Sequence, residues 1–366
     1  MIRDTIKETS FLELLKMGRE PKKALEQKTE RKPALFAPDC ISRNGKYYLY
    51  FCTDDDSEGV AVSDRPECPF GDARQLPCGG IDPAVFVDRD GQAYYYWDQI
   101  HARGVPLNED MVSFDSNKIV RNLVTEEEHY FHEGSSLRRI GNTYYYIFAD
   151  VERGRPTSLG YATSDTPLGP FRYRGIIIDN AECDPKSWNN HGSIEYFRGQ
   201  WYVCYHRSTR NSRTRRRLCM EKIEILEDGT IPEVKMTSQG IGKPFTAGEK
   251  IWGYQACGLR GKVFIDTDEV YGEKLTGIHR RDEMIFRYLQ GKPIYRHVKL
   301  ETRGSGELEI LLDGRGVTKL EITENQPVSE TNFSMEGFAT KEEGYEVKLF
   351  CKRSRKLQIL SITFFE

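Results

Sequence analysis

The hydrophobic pattern of the first two thirds of the chain is one phrase repeated four times. Each copy has a short apolar strand, a turn that contains glycine, and a second strand dense in aromatic residues. Glycine supplies the positive φ that tight hairpins need, and aromatic-rich strands suit burial on both faces. The pattern therefore predicts four β-hairpins. The copies are ISRNGKYYLYF (41–51), VFVDRDGQAYYYW (85–97), LRRIGNTYYYIF (137–148) and EYFRGQWYVCY (195–205).

The spacing of the repeats predicts the architecture. The turn glycines, Gly45, Gly91, Gly141 and Gly199, are 46, 50 and 58 residues apart. This period suits a four-stranded propeller blade and exceeds that of a solenoid helix pair. A second phrase supports it, because GVAVSDRPECPF (59–70) returns as GYATSDTPLGPF (160–171), which is typical of an outer blade strand with a proline-rich exit. We predict an all-β propeller with four recognisable blades rather than a sandwich.

The repeat stops near residue 240, where GKPFTAG predicts a linker. Beyond it, HVKLET and ELEILL alternate apolar and polar residues, which predicts a small antiparallel β-sandwich. At the other end, TSFLELLKMG predicts a short amphipathic helix. The predicted domains are an N-terminal segment (1–32), a propeller (33–240) and a sandwich (241–366).

The composition and charge of the chain limit the classes of binding partner that are expected. The net charge is −3, and 38% of residues are hydrophobic and 30% charged, which gives a globular chain with no bulk attraction to nucleic acid or an anionic membrane. No apolar run is long enough to span a bilayer. The six arginines of HRSTRNSRTRRR (206–217) lack interleaved aromatic residues, so a solvated loop is favoured over a nucleic-acid patch.

The start of the chain and its nine cysteines bear on its location. The first 30 residues contain no apolar core of a secretion signal. The cysteines form no CxxC pair and no cluster with zinc spacing, which favours reduced thiols. We expect a cytoplasmic protein, or a secreted one if a leader has been removed.

Candidate chemistry comes from a polar residue six to nine positions before each turn glycine. These residues are Asp39 in FAPD, Asp82 in GIDPAVF, Glu133 in FHEGSS and His191 in NNHGSI. The innermost strand of a propeller blade begins near the central axis, so four residues in register predict one shared site. A pair of carboxylates about 6.5–9.5 Å apart supports glycosidic cleavage with inversion. Burial or a neighbouring carboxylate keeps the acid protonated.

Taken in order, FAPDCISRNGKYYLYF, GIDPAVFVDRDGQAYYYW, EGSSLRRIGNTYYYIF, GYATSDTPLGPF and NNHGSIEYFRGQWYVCYHR resemble glycoside hydrolase family 43 over about residues 33–235. The resemblance implies a five-bladed propeller that hydrolyses arabinofuranosides or xylosides with inversion. It implies that Glu133 is the general acid and that Asp82 raises the pKa of this acid and orients it. His191 matches a histidine near a central metal, commonly calcium, contacted through water, and Asp39 matches an aspartate near the sugar pocket.

One departure from the family concerns the general base. The family takes it from an aspartate in the first blade, ahead of the segment that contains Asp39, but only about 35 residues lie there and Asp4 is their only aspartate. We therefore expect a missing or replaced first blade, an unidentified base and reduced turnover. A truncated chain, a pseudoenzyme, and a base from elsewhere, such as Asp39 or a partner subunit, all stay open. The main alternative function is a noncatalytic carbohydrate-binding propeller.

The remaining expectations concern ligands. Trp188 suits stacking on a sugar or filling a blade core, and Arg207 suits a hydrogen bond to a substrate hydroxyl. We expect an oligosaccharide or polysaccharide substrate, no nucleic-acid or membrane partner, no required cofactor, and at most a structural calcium at the propeller centre.

Exposed blade edges predict self-association. The C-terminal sandwich resembles carbohydrate-binding modules. A domain that only supports the propeller structurally is an equally good interpretation. The choices of arabinose or xylose, and of exo or endo attack, stay open.

Overall fold

A computed structural model describes residues 34–67, 69–182, 190–270, 272–324 and 326–366. Antiparallel strands dominate, which confirms the expectation of a mostly β protein. Within these ranges the helical segments are one four-residue helix, α1 (Glu126–His129), and the 3-10 turns Ser116–Lys118 and Gly253–Gln255. None of these helical segments has the length or apolar character needed to cross a membrane. The predicted N-terminal helix lies outside the described residues.

Four sheets follow one another along the chain, and in each the strands neighbour one another in chain order. Such meanders form when short strands are joined by tight turns. The first sheet is β1 (Leu35–Arg43), β2 (Lys46–Thr53), β3 (Ser57–Ser63) and β4 (Gly71–Gly79); the second is β5 (Ala84–Val87), β6 (Ala93–Trp97) and β7 (Arg103–Pro106). The third is β8 (Phe131–Ile140), β9 (Thr143–Asp150), β10 (Ser158–Ser164) and β11 (Arg172–Ile178); the fourth is β12 (Ser193–Phe197), β13 (Gln200–Thr209) and β14 (Ser212–Ile223).

The four predicted hairpins are confirmed. Their turn glycines all adopt positive φ, with values of 75°, 86°, 63° and 86° for Gly45, Gly91, Gly141 and Gly199. No atom lies closer than 3.9 Å to the place where a Cβ would be, so backbone conformation rather than crowding requires glycine there.

The aromatic strands form the core of the first three sheets. Tyr50, Tyr95 and Tyr146 are fully buried. The rings of Tyr50 and Tyr95 lie 5.3 Å apart, and Tyr95 stacks on Trp97 at 5.4 Å. Burial of such large rings supplies most of the apolar surface that these short strands remove from water.

Two local expectations differ from the structure. The phrase shared by 59–70 and 160–171 falls on β3 and β10, one position inside the edge strands β4 and β11. The arginine run is not a loop, because β13 and β14 pair through it and only Arg210 and Asn211 form the turn. Thr214, Arg215 and Arg216 are all exposed on β14, the edge strand of its sheet, so these side chains reach solvent without a loop.

The fifth sheet has nine strands and contains all of the strand structure after residue 240. Over most of β20 buried and partly exposed positions alternate, which confirms the pattern predicted from HVKLET and ELEILL. The strands join in one hydrogen-bonded network, because β20 and β23 are long enough to pair with different neighbours along their length. The strands are β15 (Lys250–Trp252), β16 (Gly258–Arg260), β17 (Phe264–Asp268), β18 (Gly272–Thr276), β19 (Glu283–Gly291), β20 (His297–Leu312), β21 (Arg315–Ile322), β22 (Val328–Asn332) and β23 (Lys341–Phe365).

The described chain forms two compact units. The first unit comprises the described residues up to Arg153 together with Leu159–Ile176 and His191–Ile194, and the second unit comprises the other described residues. The domain boundary expected near residue 240 stays a prediction.

Candidate active site

The four polar residues singled out in the sequence all belong to the first unit. Asp39 lies in β1 and Glu133 in β8, whereas Asp82 and His191 each stand two residues before β5 and β12. Asp82, Glu133 and His191 therefore sit at or near the beginning of the first strand of their sheets, and Asp39 lies in the middle of its strand.

The backbone is irregular at the three carboxylates. The register of β1 against β2 shifts between Phe36 and Asp39, and that of β8 against β9 shifts on both sides of Glu133. Such β-bulges re-aim a side chain that regular pairing would point elsewhere. Asp82 has a φ of 54°, a left-handed conformation that aspartate tolerates better than most residues.

His191 connects two of these positions. Its Nδ1 lies 4.0 Å from Oδ1 of Asp82. Its ring also lies 3.3 Å from the place where a Cβ on Gly134 would be, and Gly134 itself has a φ of 78°. Because Gly134 directly follows Glu133, Asp82, His191 and the start of β8 form one group.

Asp39 is held by the backbone of two strands. Its Oδ2 accepts a hydrogen bond from the Val85 N–H at 2.9 Å, and its Oδ1 accepts one from the Cys40 N–H at 2.9 Å. Burial raises the pKa of the Asp39 carboxyl above its ordinary value, although these donors and the charges of Arg138 and His191 act in the opposite direction. Asp39 thus ties β1 to β5 and is more readily protonated than an exposed aspartate.

Gln99 contacts Glu133, the candidate general acid. The sequence patterns did not identify Gln99 as a site residue. Its Nε2 donates a hydrogen bond to Oε2 of Glu133 at 3.1 Å. Gln99 follows an aromatic strand in one copy of the repeat, and no matching residue recurs in the other copies. The periodicity that identified the other positions therefore contained no signal for it.

The backbone on both sides of Gln99 bridges the two catalytic candidates. The Asp98 N–H donates to the carbonyl of Ile81, and the Ile100 N–H donates to the carbonyl of His132, each at 2.8 Å. Ile81 and His132 are the residues that precede Asp82 and Glu133. Asp98 and Ile100 adopt φ values of 91° and 65°, and a β-branched residue in that region is strained. Strain of this kind persists where the surrounding structure fixes the backbone, as at a functional site.

A second residue missed in the sequence is Glu58 in β3. It is buried, and its carboxylate accepts a 2.6 Å hydrogen bond from the Tyr95 hydroxyl. Burial raises the pKa of Glu58 to about 8, and the negative charges of Asp82 and Asp98 act in the same direction. At neutral pH Glu58 is therefore mainly neutral, a buried acid whose protonation is sensitive to the charge of Asp82.

Two sequence candidates are not among the described residues of the first unit. Arg207 belongs to the second unit, where it is buried in β13. Its guanidinium lies 3.4 Å from Sδ of Met236 and 3.5 Å from the carbonyl of Tyr254. Trp188 lies outside the described residues. The substrate roles suggested for both residues stay predictions.

The resemblance to the family suggested that His191 lies near a metal ion. Across the parts of the chain that the structure describes, no three His, Cys, Asp or Glu side chains are grouped so that they could hold a metal ion. Calcium takes six to eight oxygen ligands, and among the described residues the carboxylate of Asp82 lies 4.0 Å from Nδ1 of His191. These residues do not fit a directly coordinated calcium, and contact through water stays a prediction.

Comparison with known proteins identifies the family. The model of the family described as Glycosyl hydrolases family 43 matches residues 10–231, more than half of the chain. The chain belongs to this family, which confirms the resemblance seen in the motifs.

Curated relatives carry related names. The chain is 33% identical over 288 residues to a xylosidase/arabinosidase of Thermoclostridium stercorarium, an alignment that covers 66% of this chain and 58% of that protein. It is 28% identical over 244 residues to a beta-xylosidase of Xylanibacter ruminicola, covering 55% of this chain and 74% of that protein. The match thus spans little more than half the length of the first relative.

Solved structures give a weaker likeness. A GH43 beta-xylosidase/alpha-arabinofuranosidase from a compost microbial metagenome, solved in complex with xylotriose in a calcium-free form, is 29% identical. The match covers 55% of this chain and 73% of that chain, with a TM-score of 0.49. A superposition at this TM-score does not establish how the sheets are arranged in this chain.

Proposed function

We propose that this protein is an inverting glycoside hydrolase that removes arabinofuranosyl or xylosyl groups from plant-type glycans. The observation that carries the proposal is the group formed by Glu133, its backbone neighbour Gly134, His191 and Asp82. Acid-catalysed glycoside cleavage uses a pair of carboxyl groups, and Glu133 and Asp82 supply such a pair in this group.

The proposed architecture is a β-propeller over residues 33–240. Four consecutive antiparallel meanders support it, because a propeller blade is such a meander. The hydrogen bond from Val85 to Asp39 supports it further, since it joins the first strands of two neighbouring sheets within the first unit.

In the proposed mechanism Glu133 gives its proton to the glycosidic oxygen as the bond to the leaving group breaks. The negative charge of Asp82 favours the protonated form of Glu133 before reaction. Gln99 donates a hydrogen bond to Oε2 of Glu133 and so orients the carboxyl group. A water molecule attacks the opposite face of the sugar, and the base that activates it is not assigned.

The proposed substrates are pentosides. The support is the printed names of the relatives, which include xylosidase/arabinosidase and, for a Bacillus subtilis relative, arabinoxylan arabinofuranohydrolase. The expected ligand is therefore an oligosaccharide or polysaccharide with exposed pentose units. The discriminating contacts between arabinose and xylose are left to experiment.

The test uses aryl α-L-arabinofuranoside and aryl β-D-xyloside, with the anomer of the released sugar followed by NMR from the first turnover. Inversion gives the β-anomer of arabinofuranose and the α-anomer of xylose. Retention would contradict the mechanism. Tight binding of arabinoxylan oligosaccharides with no release of sugar would replace it with the alternative, a noncatalytic carbohydrate-binding propeller.

A further inference from the structure

The large sheet of the second unit contains a cleft that no role described above uses. It has a volume of about 580 Å³ and is formed by residues 276–280, which follow β18, and by residues 352–354 and 356–358 of β23. Clefts of this size hold small-molecule ligands of mono- to disaccharide dimensions.

The lining of this cleft is basic. It includes His279, Arg280, Lys352, Arg353 and Lys356, and it contains neither an acidic nor an aromatic side chain. Neutral sugars are commonly held by stacking on aromatic rings, which combine an apolar face with low conformational cost. The lining therefore favours an anion over a neutral sugar.

Two of the cations are already paired, and two are not. Lys352 pairs with Glu309 at 2.5 Å, and Arg353 pairs with Glu321 at 2.9 Å. Across the described ranges, Arg280 and Lys356 have no acidic partner within 4.0 Å. Positive charge without an internal counterion is thus concentrated on these two side chains.

The cleft also contains a buried polar atom that lacks a partner. The Oγ of Ser354 is buried, and no described residue makes a hydrogen bond with it. An unsatisfied buried hydroxyl is destabilising, and a hydrogen bond to a ligand oxygen would relieve this once the Ser354 side chain turns into the cleft. This observation is independent of the charges and points to an oxygen-bearing ligand.

The loop that presents Arg280 is fixed. Buried Asp282 accepts a hydrogen bond from the His279 N–H at 2.8 Å, and the Arg281 N–H donates to the carbonyl of Cys351 at 2.7 Å. These bonds attach the loop to β23, which carries Ser354 and Lys356. The backbone on both sides of the cleft is therefore held in place before any ligand binds.

We infer that this cleft binds an oxyanion, and specifically the carboxylate of a uronic acid residue on a glycan. Arg280 suits a carboxylate because a guanidinium forms two parallel hydrogen bonds to it, while Lys356 adds a point charge and Ser354 a hydroxyl. The choice of a uronate among oxyanions rests on the proposed glycan-directed function; the anion site itself does not.

The test is calorimetric titration of the full chain, carrying Glu133→Gln so that no ligand is consumed. The probes are a glucuronic acid-substituted xylo-oligosaccharide, a neutral xylo-oligosaccharide of the same backbone length, free glucuronate and inorganic phosphate. The cleft variants are Arg280→Gln and Lys356→Asn; asparagine suits position 356 because its φ is 52°. The matched control is Arg355→Gln, an exposed arginine on the same strand that does not line the cleft.

We expect the acidic oligosaccharide to bind at least tenfold more tightly than the neutral one, and each cleft variant to weaken it by roughly tenfold, with no change in Arg355→Gln. Binding should weaken in 0.5 M salt. Equal affinity for the acidic and neutral oligosaccharides would overturn the inference, as would an equal loss in Arg355→Gln. Tighter binding of phosphate than of glucuronate would overturn the uronate assignment. Hydrolysis of aryl pentosides by the unmodified chain tests the proposed function separately, so either can fail without the other.

Discussion

Each unit contains both paired and unpaired buried charges, and the clearest examples differ between the two. In the first unit, buried Glu58 and Asp150 have no cation bonded to them, and burial raises the pKa of their carboxyls to about 8 and about 6. In the second unit, buried Arg287 lies 2.7 Å from Glu182 and 2.8 Å from Glu346. Each unit also holds the other kind: Asp88 of the first unit pairs with Arg139 at 2.7 Å, and burial raises the pKa of Glu221 in the second unit to about 7. The contrast is therefore between individual residues, since Glu58 and Asp150 are buried acids without a bonded cation and Arg287 is neutralised by its neighbours.

The strands of the two units also differ in where their charged and polar residues lie. In the first unit short aromatic strands begin with polar residues at bulges or at positive φ, as at Asp82 and Glu133. In the second unit β20 also contains register shifts against β23, but its buried positions alternate over most of its length, and its ion pairs, such as Lys250 with Glu301, lie on the partly exposed face. Perturbed acids at irregular backbone positions are typical of catalytic sites, and paired charges on a partly exposed face are typical of a supporting fold.

The largest expected effect tests the catalytic side of this contrast. Glu133→Gln should lower kcat on aryl pentosides by roughly 10²–10⁴-fold, because an amide cannot give a proton to the leaving oxygen. The loss should be smallest for substrates whose aryl leaving group is most acidic, since these need least protonation. A uniform loss across leaving groups, or full activity, would contradict the assignment; circular dichroism serves as the folding control.

The next largest effect is expected on stability, and it tests the buried charge of Arg287 in the second unit. Arg287→Met should lower the free energy of unfolding by about 3–5 kcal/mol, because it leaves Glu182 and Glu346 without their buried cation. Denaturant unfolding measures it. The control is Arg260→Met, which removes another partner of Glu182 from a half-exposed position and should cost less than about 1 kcal/mol. Similar losses in both variants would show that Arg287 is not a special buried charge.

The pH dependence of stability tests whether Glu58 is a buried acid with a raised pKa. Because the folded-state pKa of Glu58 is raised from 4.5 to about 8, its contribution is fully present below pH 4.5 and is lost as pH rises to about 8. One such group gives a slope of at most about 1.4 kcal/mol per pH unit. We expect Glu58→Gln to flatten the fall in unfolding free energy over this window, and exposed Glu67→Gln to leave it unchanged. An unchanged slope in Glu58→Gln would mean that Glu58 is already ionised in the native protein.

The smallest effect concerns orientation of the acid. Gln99→Ala should lower kcat by roughly tenfold, the effect of losing one hydrogen bond to a charged group. A hydrogen bond to an ionised carboxylate favours the ionised form, so its loss should move the alkaline limb of the pH–rate profile to higher pH. A fall in kcat with an unmoved limb would indicate only a structural role. Gln92→Ala is a suitable control, because Gln92 makes its bonds to the backbone of another turn.

The sequence predicted the hairpins, the aromatic cores and the register of Asp39, Asp82, Glu133 and His191, because each depends on a local pattern that recurs. It missed Gln99 and Glu58, whose significance comes from contacts across 34 and 37 residues of chain. It also assigned the arginine run to a loop, because charge density predicts exposure and says little about strand pairing.

What the sequence determined by itself is the family and the order of the repeats, since turn glycines and strand periodicity are properties of short segments. Only the tertiary structure decided which atoms meet: the bulge at Glu133, the backbone bridge at Asp98 and Ile100, and the burial that raises the pKa of Glu58. It also placed unpaired Arg280 and Lys356 beside Ser354 in one cleft. These features depend on distance and burial, which arise when segments far apart in the chain pack together, and no local pattern encodes them.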